Sequence, residues 1–81
     1  MSTTYYVALP FMYGDDGISA GAAQECQNAG AAVRRAEALA RTPPNIGALA
    51  FQRSGDPNLG QFDDAKLIRS FGEVPTQLDE L

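Results

Sequence analysis

The sequence predicts an α+β domain: a small antiparallel sheet of about four strands with one helix packed on one face. Three observations predict it. One stretch with helical periodicity stands near the middle of the 81-residue chain, at residues 28–41 (NAGAAVRRAEALAR). Aromatic and branched stretches flank it at residues 5–12 (YYVALPFM) and 46–53 (IGALAFQR). Turn formers separate each flank from a further apolar stretch, so the expected order is strand, strand, helix, strand, strand.

Residues 5–12 read as a strand with Tyr5, Val7, Leu9 and Phe11 on one face and Tyr6, Ala8, Pro10 and Met12 on the other. Pro10 cannot donate to a sheet ladder, which predicts an edge strand or a bulge at that point. Gly14-Asp15-Asp16-Gly17 is a turn signal. Residues 18–27 then read as a small, alanine-lined strand pairing back on the first.

In the helix, Asn28 is the expected N-cap, because a short polar side chain accepts a hydrogen bond from an unpaired amide of the first turn. Ala29, Ala32, Val33, Ala36, Leu39 and Ala40 fall on one stripe at spacings of three and four, with Arg34, Arg35, Glu37 and Arg41 outside it. Arg41 suits the negative end of the helix dipole, and Thr42-Pro43-Pro44 stops the helix. The alternative order is strand, helix, strand, strand, with the helix extended back to Ser19. Gly21 and Gly30 weigh against it, at roughly 1 kcal/mol for each interior glycine.

Residues 46–53 read as a strand apolar on both faces, with Ile46, Ala48 and Ala50 on one side and Leu49 and Phe51 on the other. Residues 54–64 (SGDPNLGQFDD) are a hairpin loop. Residues 65–71 (AKLIRSF) close the second strand pair, with Leu67 and Phe71 opposite Ile68. Residues 1–75 make one domain. The segment 76–81 (TQLDEL) is expected to be a flexible acidic tail.

Six basic residues against ten acidic ones, no histidine, and no basic cluster beyond Arg34-Arg35 disfavour binding to nucleic acid through phosphate neutralisation. The single cysteine, Cys26, forms no internal disulfide, and without histidine it makes no zinc set. No apolar run approaches the roughly 18 residues that read as a membrane span, and no basic segment leads into a signal-type run at the start. A cytoplasmic protein with no membrane partner is expected.

Several candidate sites are weak on their own chemistry. Tyr13-Gly14-Asp15-Asp16 has the letters of a polymerase metal motif, but such a site needs carboxylates from other elements of a much larger enzyme. Asp56, Asn58, Gly60, Phe62 and Asp64, with Asp63 beside them, alternate somewhat as calcium-loop ligands do. The match fails because Gln61 stands where the sharp turn needs glycine and no glutamate closes the loop. Asp79-Glu80-Leu81 has the letters of a retrieval signal without an export signal to give it meaning. No catalytic residue, metal or cofactor is expected.

One helix covers one face of the sheet, yet the strands carry apolar residues on both. The second face needs a cover, and large exposed apolar patches mark interaction surfaces. A non-enzymatic interaction module is therefore expected, either a homodimer or an accessory subunit of a larger protein, with Tyr6, Met12, Leu49, Phe51 and Ile68 on its interaction surface. The alternative cover is strand twist, the tail and the loops. The alternative function is a small ligand-binding domain or enzyme with a site around Cys26, Arg34 and Arg35.

The chain resembles a group of short bacterial proteins of no assigned activity. The likeness rests on Ala32-Val33-Arg34-Arg35-Ala36-Glu37-Ala38-Leu39-Ala40, on Ala50-Phe51 with Ser54-Gly55-Asp56-Pro57 and Gly60, and on Phe71-Gly72-Glu73-Val74-Pro75. It implies a bacterial cytoplasmic protein, favours a strand before Asn28, and brings no catalytic residue.

Overall fold

Asn28 begins the helix as its side chain requires. Its backbone is extended, and its Oδ1 accepts the Ala31 N–H at 2.8 Å in a computed structural model that describes residues 3–56 and 58–75. The expected flexibility of the tail 76–81 falls outside the described residues. Helix α1 spans Ala29–Ala40, so the shorter of the two helices expected from sequence forms. At its far end the Thr42 hydroxyl donates to the Ala38 carbonyl at 2.8 Å, and the Asn45 amide donates to that of Leu39 at 3.0 Å. These bonds add to the backbone bonds by which the Arg41 and Thr42 N–H groups reach the same two carbonyls. Glu37 pairs with Arg41 at 3.4 Å, one turn on, rather than with Arg34 or Arg35. Asn28→Ala is expected to cost about 1 kcal/mol, read as a lower urea midpoint at unchanged slope.

The strands follow the expected order, as an antiparallel curled sheet. Strand β1 (Thr3–Gly14) turns at Asp15-Asp16 into β2 (Gly17–Ala20), and β3 (Gln24–Cys26) continues along the same side of β1. Strand β4 (Gly47–Asp56) pairs along the other side of β1 from Phe11↔Gly47 to Thr3↔Gly55. Two segments, β5 (Gln61–Phe62) and β6 (Lys66–Gly72), share the outer side of β4. The stretch at residues 18–27 is thus two short strands rather than one.

Pro10 explains the break. Strand β1 is interior and not at an edge, but the Pro10 carbonyl accepts the Gly21 N–H at 2.8 Å, so its donorless nitrogen faces the same neighbour. The neighbour leaves the ladder there, between β2 and β3. The irregularity expected at Pro10 is carried by the strand beside it.

Helix and sheet meet through alanine. Ala8, Ala48 and Ala50 of the sheet and Ala32 and Ala36 of the helix are fully buried against one another, ringed by Tyr6, Cys26, Val33, Leu39, Ile68 and Phe71. The larger buried side chains lie on the other face, where Phe11, Leu49 and Phe51 pack with Val7, Leu9, Ala65 and Val74. Ala65 comes from the loop before β6 and Val74 from the segment after it, so chain beyond the sheet covers the centre of the second face.

A register shift corrects one expectation about faces. Ala50 pairs with Arg69 but Phe51 pairs with Leu67, which leaves Ile68 as an extra residue in β6. One extra residue reverses the alternation. Phe71 therefore joins Ile68 on the helix side instead of sharing a face with Leu67.

Candidate functional site

Directly opposed residues of antiparallel strands share a face, so the ladder defines the helix-free surface rung by rung. Val7 lies opposite Phe51, and Phe51 opposite Leu67; Leu9 lies opposite Leu49; Tyr5 lies opposite Arg53. On the other side of β1, Glu25 lies opposite Val7 and Ile18 opposite Tyr13. Phe62, opposite Gly55, closes the far corner. At the centre Leu49 is 0% exposed, while around it Leu67 is 46% exposed, Phe62 43% and Ile18 37%. Val7 and Leu9 are half-buried. The face has a filled centre and an apolar margin open to water.

The five residues expected to form the interaction surface do not form one. Tyr6 and Ile68 pack on the helix side, and Met12 shares their face by alternation along β1. Leu49 and Phe51 do lie on the helix-free face, but both are buried within the single chain. Strand parity divides the five between the two faces, and Val74 and Ala65 cover the pair on the helix-free side. Ile18, Leu67 and Phe62 are exposed apolar residues of that face outside the expected set. Pairing with Tyr13 and Phe51 was the signal for the first two, whereas Phe62 is hidden in sequence among turn formers.

Charge of both signs flanks this margin. Glu25 stands on the β3 side, and Arg53 on the β4 side one rung along. The Arg53 guanidinium lies 5.9 Å from the Phe62 ring centre, and its Nε donates to the Asp63 carbonyl at 2.9 Å. The Tyr5 and Phe62 rings stand 6.0 Å apart. Arg53 is thereby held over the corner of the face.

At the opposite end the Tyr13 hydroxyl donates to the Glu73 carboxylate at 2.6 Å. That hydrogen bond, then the charge of Glu73, raises the Tyr13 pKa above its ordinary 10.0. The sign follows directly. A pKa raised on folding gives stability that is complete below pH 10 and is lost as pH rises through the folded value. Absorbance titration of the phenol is expected to show Tyr13 ionising above pH 10, and Glu73→Gln should move its midpoint back down. An unmoved midpoint would show that the bond does not persist in water.

The alternative site expected around Cys26, Arg34 and Arg35 is divided by the fold. Cys26 is half-buried beside the alanine core, its Sγ directed at the Gln24 carbonyl at 3.6 Å. Arg34 and Arg35 line an open hollow with Ala31 and Ala38 on the helix. The calcium-like loop is a turn in which Asp56 Oδ1 accepts the Asn58 N–H at 2.9 Å. Among the described residues no three His, Cys, Asp or Glu side chains are grouped to hold a metal ion, and no helix is long and apolar enough to cross a membrane.

Comparison of the chain with protein-family models, with curated proteins and with solved structures returned no match.

Proposed function

We propose that this chain is a non-enzymatic interaction module of the cytoplasm that docks through the helix-free face of its sheet, with a second copy of itself as the occupant that fits best. One observation carries the reading: Val7, Leu9, Ile18, Phe62 and Leu67 line one face at partial or substantial exposure. In a twofold contact a patch meets itself, so it must be self-complementary. Glu25 and Arg53, on opposite flanks of Val7, supply both signs for such a contact. The chain measures 38 × 26 × 17 Å along its principal axes. A face of the two longer dimensions has room for the roughly 800 Å2 per partner that a stable interface buries.

The edges of the sheet are poorer docking sites. Strand β6 carries Lys66, Arg69 and the bulge at Ile68, and β2 and β3 are short and interrupted. These features discourage strand addition. Light scattering on a sizing column, from low to high micromolar, should give a dimer mass that Leu67→Asp reduces to a monomer. Glu25→Arg should weaken the dimer, and adding Arg53→Glu should restore it. A monomer throughout that also captures no larger protein from lysate would sink the interaction reading. Capture of one stoichiometric protein would make the chain an accessory subunit.

A second reading rests on the Arg34 and Arg35 hollow, whose two guanidinium groups suit a small anion. A bound ligand at 100 times its dissociation constant adds roughly 2.7 kcal/mol, so unchanged melting across anionic metabolites would remove this reading.

A further inference from the structure

The segment at residues 72–75 leaves the sheet in a way that the fold itself does not require. Gly72 ends β6 at φ +67°, a left-handed conformation that turns the chain off the edge. Glu73 then donates its N–H to the Ile46 carbonyl at 3.0 Å and lies flush on Gly47, where a Cβ would collide with the Glu73 backbone. Its carboxylate accepts the Tyr13 hydroxyl at 2.6 Å. Val74 follows and packs on the cluster of Phe11, Leu49 and Phe51.

From these contacts we infer that residues 72–75 are a releasable strap, latched by Tyr13 and Glu73, which masks Phe11 and Leu49 when closed and adds them to the apolar margin of the helix-free face when open. The latch lies in water: Tyr13 is 63% exposed, and Gly72 and Glu73 are exposed. Segments held by few buried apolar contacts and exposed hydrogen bonds open locally, well below the cost of global unfolding. Beneath the strap lie fully buried side chains of the central strands. Opening it changes what the face presents while the ladder between β1 and β4 stays intact. That the enlarged face is a docking surface rests on the function proposed above; the opening itself does not.

Hydrogen exchange of the full chain tests this at one amide. The Glu73 N–H should exchange on the order of a hundredfold faster than the slowest amides of β4. Tyr13→Phe should accelerate it a further three- to tenfold, roughly the worth of one net hydrogen bond, and the slowest β4 amides, which exchange only on global unfolding, by no more than that factor. Glu73→Gln keeps an acceptor and should stay within about twofold of the native rate. Binding of a hydrophobic dye well below the melting transition should rise in Tyr13→Phe. Equal exchange at Glu73 and in β4, or no acceleration in Tyr13→Phe, would overturn the strap. Local opening in a chain that never associates would uphold the strap and overturn the docking reading.

Discussion

Leu49→Ala is expected to remove about 2–5 kcal/mol of folding stability and to lower the melting temperature by roughly 10 °C or more. Among the described residues Leu49 is the largest side chain that is completely enclosed, held among Phe11, Phe51, Val7, Leu9, Ala65 and Val74. Truncation removes the apolar contact of its branched end and leaves a hole. Most of the neighbours are fixed by ladder pairs between β1 and β4 and collapse poorly into it. Native domains carry only about 5–15 kcal/mol in total, so the variant stands near the edge of folding. Leu49→Met conserves volume and should lose less than about 1.5 kcal/mol. Urea melts followed by circular dichroism measure both. A loss below 1 kcal/mol in the alanine variant would mean that the helix-free face is open at its centre in solution.

Ala36→Leu is expected to cost about 1–3 kcal/mol for the opposite reason. Ala36 is fully buried in the alanine cluster it shares with Ala8, Ala32, Ala48 and Ala50. Contact between alanines lets the helix lie close to the sheet, and no space remains for three further carbons. A leucine there forces either an unfavourable rotamer or a lift of the helix, and a lift loosens every contact of that layer. Ala38→Leu is the control, because Ala38 is exposed on the same helix and should stay within about 0.5 kcal/mol of the native chain. Equal urea midpoints for the two variants would show that the alanine layer is not tightly closed.

The two substitutions act on two layers of different character. The helix side is closed by small residues at short range and tolerates no growth. The helix-free side is closed by large residues and by two pieces of chain, the loop at Ala65 and the strap at Val74. That second closure is incomplete, and it leaves a margin of Ile18, Phe62 and Leu67 open to water.

The sequence by itself determined the class, the order of the elements and the helix. Asn28, the alanine stripe and Pro43-Pro44 act within a few residues of where they stand, through torsion preference and local hydrogen bonds, so they are legible without the rest of the chain. Only the tertiary structure decided which strands became interior, where the second strand broke against Pro10, and which face each residue took. Face depends on parity, and one extra residue at Ile68 moved Phe71 across the sheet. Burial of Leu49 and Phe51 depended on Val74, more than twenty residues away, and the bond from Tyr13 to Glu73 spans most of the chain. Such contacts form only when distant segments meet in space. The make-up of the helix-free face, which depends on them, had to be read from the fold.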